Sequence, residues 1–178
     1  MSGVLLALLN STPIVRGTRT DQLADDESTR RWLRAQGLTV EVGERQLLRE
    51  ARNRLQAVVR AEQSPAALEA LLSGVVALPT VDDQGLTWEI QATGARKVIV
   101  DAVAEWDELR RSQPGRLRPC ANDECHLFLL DRSRSNSARW CSMATCGNRL
   151  KARRHHERAV RQAGDSPPPA DQDRPARR

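Results

Sequence analysis

The stretch Cys120-Ala-Asn-Asp-Glu-Cys125, followed after fifteen intervening residues by Cys141-Ser-Met-Ala-Thr-Cys146, decides how this chain is read. These are its only four cysteines, and they fall into two pairs of equal internal spacing. Two short loops, each offering two thiolates, are what one tetrahedral ion requires. Cys120, Cys125, Cys141 and Cys146 are therefore the expected ligands of a structural Zn2+ ion, since an all-sulfur shell has no open position for chemistry. In a reducing compartment such thiols stay available for metal rather than pairing as disulfides. An iron-sulfur cluster is the rival occupant, because four cysteines can hold one as well. His126 stands beside Cys125, where simultaneous ligation is awkward, and is read as a non-ligand.

The residues after the last cysteine predict a helix from Gly147 to Arg158 that is crowded with cations. At 100° per residue, Lys151, Arg154, His155, Arg158 and Arg161 fall within an arc of roughly 120°, with Arg149, Arg153 and His156 on the other side. Residues 1–115 carry 14 Lys+Arg against 16 Asp+Glu, a net −2, whereas residues 116–161 carry 11 against 4, a net +7. The basic surplus is thus local to the cysteine module, the electrostatic footprint of a nucleic-acid contact. Arg139, Asn148, Arg149, Lys151, Arg153, Arg154 and Arg158 are the candidate nucleic-acid residues. The serine- and arginine-rich stretch 131–139 reads as a polar loop able to follow a phosphate backbone. Leu127 to Leu130 reads as the module's own small core, with Trp140 beside it.

Working towards the N-terminus, the chain predicts mostly helix. An apolar run from Val4 to Leu9 stops at the turn-prone Asn10, Ser11, Thr12 and Pro13. Asp25 or Asp26 suits a helix N-cap, with Trp32 and Leu33 buried and Gly37 as the stop. From Glu41 to about Gln63, Leu47, Leu48, Ala51, Leu55, Val58 and Val59 recur at helical spacing, and Arg45, Arg49, Arg52, Arg54 and Arg60 read as its solvated face. Ser64 and Pro65 start another helix that runs to Gly74. Val75–Val81 and Leu86–Ala92 flank a polar turn and predict a hairpin with Trp88 packed under it. A last helix spans Gly94 to Arg111. The Pro-rich stretch from Gly164 predicts a disordered tail.

Several function classes lose support. No histidine precedes His126 and no Gly-rich phosphate loop occurs, so the chain is read as a non-enzyme. The apolar run at the N-terminus is too short to span a membrane. A cytoplasmic, nucleoid-associated protein is expected.

The run Arg-Trp-Cys-Ser-Met-Ala-Thr-Cys-Gly-Asn-Arg at 139–149 resembles the CGNR zinc finger family, and the likeness extends over about residues 117–158. The chain departs from that family's pattern at Ala138, where a second arginine is usual, and in having both Leu129 and Leu130 between Phe128 and Asp131. The first 115 residues are similar to the domain called ABATE that commonly precedes this finger, with Leu8, Leu9, Asn10 and Ser11 matching its apolar stretch and turn. The resemblance implies a stress-induced bacterial transcription regulator with the finger as DNA binder.

The expected architecture is mainly α (α+β): an ABATE-like helical domain with a small β-hairpin over residues 1–113, a four-cysteine zinc finger with a C-terminal basic helix over 117–162, and a tail over 163–178. The expected function is DNA-binding transcription regulation, with the N-terminal domain sensing a small-molecule effector or forming a homodimer. The alternative is a zinc-dependent protein-interaction module, for example with the transcription machinery, or an RNA binder.

Overall fold

A computed structural model describes residues 3–15, 18–38, 44–149, 151–153 and 156. The chain divides into two compact units, Met1–Cys141 and Ser142–Arg178. Among the described residues, the first unit contains helices α1 (Val4–Leu9), α2 (Asp26–Ala35), α3 (Arg45–Val59) and α4 (Gly94–Ser112), with a 3-10 helix at Pro65–Leu72. It also contains three antiparallel strand pairs: β1 (Ile14–Val15) with β2 (Thr18–Arg19), β3 (Val76–Asp82) with β4 (Gly85–Gln91), and β5 (Leu117–Pro119) with β6 (Phe128–Leu130). The mixed, mainly helical class expected from sequence is what these elements form.

The core follows from periodicity. Leu48, Ala51 and Leu55 of α3 recur at steps of three and four, and they pack with Leu5, Leu8 and Leu9 of α1 and Val98, Ile99 and Ala102 of α4. The Pro65–Leu72 segment is 3-10 rather than α-helical, and the Ser64 side chain makes no cap bond. Its buried residues, Leu68 and Leu71, are three apart, which matches a helix of three residues per turn.

Helix ends show how local and distant chemistry share the work. Asp25 caps α2 in a reciprocal box: its carboxylate accepts from the Ser28 N–H at 2.8 Å while the Ser28 hydroxyl accepts from the Asp25 N–H at 3.2 Å. Gly37, at φ +69°, ends the same helix with its N–H on the Arg34 carbonyl and the Leu38 N–H on that of Leu33. Helix α3 ends in the same way, but with Ala61 at φ +59° in the glycine position and the Glu62 N–H on the Ala57 carbonyl. Helices α1 and α4 take their caps from elsewhere in the chain. Glu105 accepts from the Leu5 N–H at 3.1 Å, and Glu44 accepts from the Ala95 N–H at 2.6 Å. Gly94, at φ +60°, takes a conformation that L side chains rarely adopt, and an added Cβ would also push on that Glu44 carboxylate.

Three sequence expectations are corrected here. Arg52 does not lie on a solvated face: its side chain is 4% exposed and its guanidinium grips Asp21 with both nitrogens, at 2.5 and 3.1 Å. Burial alone would raise the Asp21 pKa, but the Arg52 hydrogen bonds, the Leu23 N–H and the charges of Arg52 and Arg49 outweigh it and hold it below its ordinary value. Trp88 does not pack under the hairpin: it is 61% exposed, and every residue of β3 and β4 except Gly85 is open to solvent. Phe128 does not head a separate small core, because it is 1% exposed within the same cluster as α1, α3 and α4. A bulky ring gains more from joining a large apolar cluster than a four-residue one.

Candidate metal centre and basic helix

Strands β5 and β6 pair with Leu117 opposite Leu130, Arg118 opposite Leu129 and Pro119 opposite Phe128, and the Cys120 N–H extends the ladder to the Leu127 carbonyl at 2.9 Å. The segment they enclose carries Cys120 and Cys125. Buried Asn122 turns it: its carbonyl accepts from the Cys125 N–H at 2.7 Å and its side-chain oxygen from the Glu124 N–H at 3.3 Å. Sequence reading passed over Asn122, although an Asx residue inside a C-x4-C loop is itself a turn signal.

The Asn10 side chain sets the position of β6. Its amide donates to the Phe128 carbonyl at 3.1 Å and its oxygen accepts from the Phe128 N–H at 2.7 Å, so one side chain reproduces both bonds of a strand pair. Arg60 adds to this, with its guanidinium 4.7 Å from the Phe128 ring centre and donating to the His126 carbonyl. His126 itself is exposed.

Residues 131–139 form the expected polar loop, ordered by its own hydrogen bonds. The buried Asp131 carboxylate accepts from Ser133 N–H and Ala138 N–H, both at 2.8 Å, and from Arg118 at 2.6 Å. The Ser133 hydrogen bonds lead, ahead of the burial that opposes them, and with Ala138 and Arg118 they hold the Asp131 pKa down to about 2. Arg118 also donates to the carbonyls of Asn136 and Ala138, closing the turn from below. The Arg139 carbonyl accepts from the Ala121 N–H at 2.8 Å, which ties Cys141 to the first cysteine loop, while its exposed guanidinium lies 5.8 Å from the Trp140 ring.

These supports bring the sulfurs together. The four ligand atoms of Cys120, Cys125, Cys141 and Cys146 all lie within 4.8 Å of one another. The Sγ atoms of Cys125 and Cys141 are 3.7 Å apart, and none of the four cysteines is in a disulfide. A Zn–S bond of about 2.3 Å gives a tetrahedron an S···S edge of about 3.8 Å, so the donors fit a single ion. A Cys141 N–H donates to Cys120 Sγ at 3.4 Å, a contact suited to an anionic sulfur.

In the second unit, the fourth cysteine sits on the helix rather than before it. Ser142 is the N-cap of a π-helical turn, Met143–Gly147, and its carbonyl accepts from both the Cys146 and Gly147 N–H groups. Residues 148, 149, 151–153 and 156 are helical, and Asn148, Arg149, Lys151 and Arg153 are exposed on them. Arg154 and Arg158, with the predicted tail, lie outside the described residues. Among the described residues no helix is long and apolar enough to cross a membrane.

Four clustered thiols that follow an N-terminal α+β domain define the class: a metal-binding finger protein. The family models agree with this. Residues 3–128 match the ABATE family, described as a putative stress-induced transcription regulator, and residues 116–159 match the CGNR zinc finger. The chain belongs to the ABATE family and carries a CGNR-type finger. No curated protein matches it.

Proposed function

We propose that this protein is a cytoplasmic, nucleoid-associated DNA-binding transcription regulator, not an enzyme, in which Zn2+ held by Cys120, Cys125, Cys141 and Cys146 orders the finger. The observation that carries this reading is the cluster of four sulfurs, continued in the chain by exposed Asn148, Arg149, Lys151 and Arg153. Four thiolates fill a tetrahedron and leave no site for activated water, which supports a structural ion. Sulfurs this close together also suit one ion better than a multi-iron cluster, whose thiolates surround a larger body. An exposed cationic helix can enter the major groove, where arginines read guanine and neighbouring cations hold phosphate. Arg139, Arg154 and Arg158 complete the proposed contact set.

Fluorescence-anisotropy titration of the zinc-loaded chain against duplex DNA tests this reading. If about six phosphates are neutralised, log affinity falls against log salt with a slope of roughly −5. Salt-insensitive binding, or none at low salt beside capture of RNA polymerase, would turn the reading into the protein-interaction alternative.

The proposed regulation includes effector sensing. In the first unit Leu68, Leu72, Val100, Val103 and Trp106 line an apolar groove of about 450 Å³, a size that suits a small ligand. A thermal-shift screen of apolar metabolite-sized compounds should find at least one that raises Tm. A Leu72→Glu variant, at a half-buried position of the groove, should lose that response.

A further inference from the structure

The β3–β4 ribbon presents one face made wholly of apolar side chains. The register pairs Ala77 with Ile90, Pro79 with Trp88 and Val81 with Leu86, and cross-strand partners share a face. The opposite face carries Leu78 beside Glu89, and Thr80 bonded to Thr87 at 2.7 Å. All six apolar residues are exposed, Ile90 at 38%, Leu86 at 61% and Val81 at 79%. A ribbon of two strands whose hydrophobic face is left open by the described residues is marginal in water, yet this one extends over seven residue pairs.

We propose that this face is a homodimer interface, on which the ribbon of a second copy packs face to face. Three observations select a second copy. The first is self-complementarity: a two-fold axis through Pro79 and Trp88 lays the Val81–Leu86 end of one ribbon over the smaller Ala77–Ile90 end of the other, as an isologous contact requires. The second is charge: Asp82, Asp83 and Glu89 lie at the turn or on the other face, so nothing repels when the face meets itself. The third is area. Six side chains this exposed offer roughly 600 Å² per copy, about 1,200 Å² for a pair, the lower edge of specific stable interfaces.

Edge pairing is the competing geometry, and Pro79 opposes it. The two-residue turn makes Asp82 and Gly85 a hydrogen-bonded pair, so the alternation puts Pro79 at a position whose N–H would point outward. Its ring leaves the free edge of β3 without that donor. The face remains the surface a second copy can use.

Sedimentation equilibrium of the full zinc-loaded chain, without DNA, tests this proposal independently of the DNA reading. Dimer should form with a Kd on the order of micromolar, as expected for a small apolar interface. Leu86→Glu places a charge in the interface twice per dimer and should weaken association by at least about 100-fold. Glu89→Lys, on the other face, should leave it unchanged. Both substitutions fall on exposed positions, so Tm and far-UV circular dichroism at submicromolar concentration should match wild type. A wild-type chain that stays monomeric at about 100-fold above that range, or a dimer that persists in Leu86→Glu, would overturn the proposal. So would weakening by Glu89→Lys as strong as by Leu86→Glu.

Discussion

Two of the three strand pairs among the described residues, β3–β4 and β5–β6, are of opposite character. The β3–β4 ribbon is long, seven pairs, and exposed on both faces, whereas β5–β6 has three pairs and buries Phe128 to 1% exposure. By strand length alone the first should be the firmer. Tertiary anchoring should reverse that order: β6 is held by the Asn10 amide, the Arg60 guanidinium and the helical core, while the residues of β3 and β4 other than Gly85 are exposed. Hairpin stability here is set by what covers the strands more than by how many residues pair. The short hairpin carries two of the four clustered cysteines; the long one carries an apolar face that the described residues leave exposed.

The largest expected effect comes from removing the metal. Structural zinc supplies apparent free energy on the order of 10 kcal/mol to a small finger. Because Phe128 belongs to the core of α1, α3 and α4, a strong chelator should lower the melting temperature of the helical unit as well as the finger. Circular dichroism at 222 nm would show it, and an unchanged helical melt would separate β5–β6 from the core. Next in size, Phe128→Ala should cost about 4 kcal/mol. Trp88→Ala, the larger truncation by side-chain volume, should stay within about 0.5 kcal/mol at concentrations below association. Parallel urea titrations followed by the remaining tryptophans measure both. Near-equal costs would erase the contrast between the hairpins.

Much of this was legible in the sequence, and the exceptions have physical causes. Cysteine spacing pointed to the cluster of four sulfurs because two C-x4-C loops have few other uses. The Asp25 cap and the Gly37 stop were visible because both act within four residues. The caps of α1 and α4 were not, since Glu105 and Glu44 are 100 and 51 residues from the amides they accept. Ala61 hid the end of α3, because a left-handed residue without glycine leaves no compositional mark. Arg52 misled by charge: an arginine on an amphipathic helix reads as solvated until Asp21 is found opposite it. Phe128 misled by proximity, because an apolar run beside cysteines suggests a private core when its partner Asn10 lies 118 residues away. The apolar face of β3–β4 was present in the alternation of Ala77, Pro79 and Val81, but whether it was covered could be seen only in the fold.

Asn10→Ala should have an intermediate effect. It removes both side-chain bonds to Phe128 and leaves a part-buried N–H and carbonyl unpaired, at a cost of about 2 kcal/mol. Asn10→Asp keeps the acceptor but sets a second oxygen against the Phe128 carbonyl, so it should not recover the loss. Asp131 gives the matching pH test on the return that follows β6. Its pKa is held at about 2 against an ordinary 3.8, so the stability it contributes is complete above about pH 4 and fades as pH falls towards 2. The stability difference between wild type and Asp131→Asn, with both in the same metal state, should be flat from about pH 5 to 7 and shrink below about pH 4. A difference that grows on acidification would contradict the assigned hydrogen bonds.

The smallest effect sharpens the comparison most. Thr80 and Thr87 share a hydroxyl hydrogen bond on the exposed face of β3–β4, and such a cross-strand pair is worth about 0.5 kcal/mol. Thr87→Ala should leave Tm unchanged, because an exposed ribbon opens without unfolding the core. Amide exchange should still register the loss: protection across β3 and β4 should fall roughly twofold, while amides of β5 and β6 keep exchanging only with global unfolding. If the apolar face is sealed by a second copy, raising the concentration through the association range should restore protection to β3–β4 and do nothing for β5–β6. The same substitution, read at two concentrations, thus separates a hairpin fixed by its own chain from one fixed by a partner.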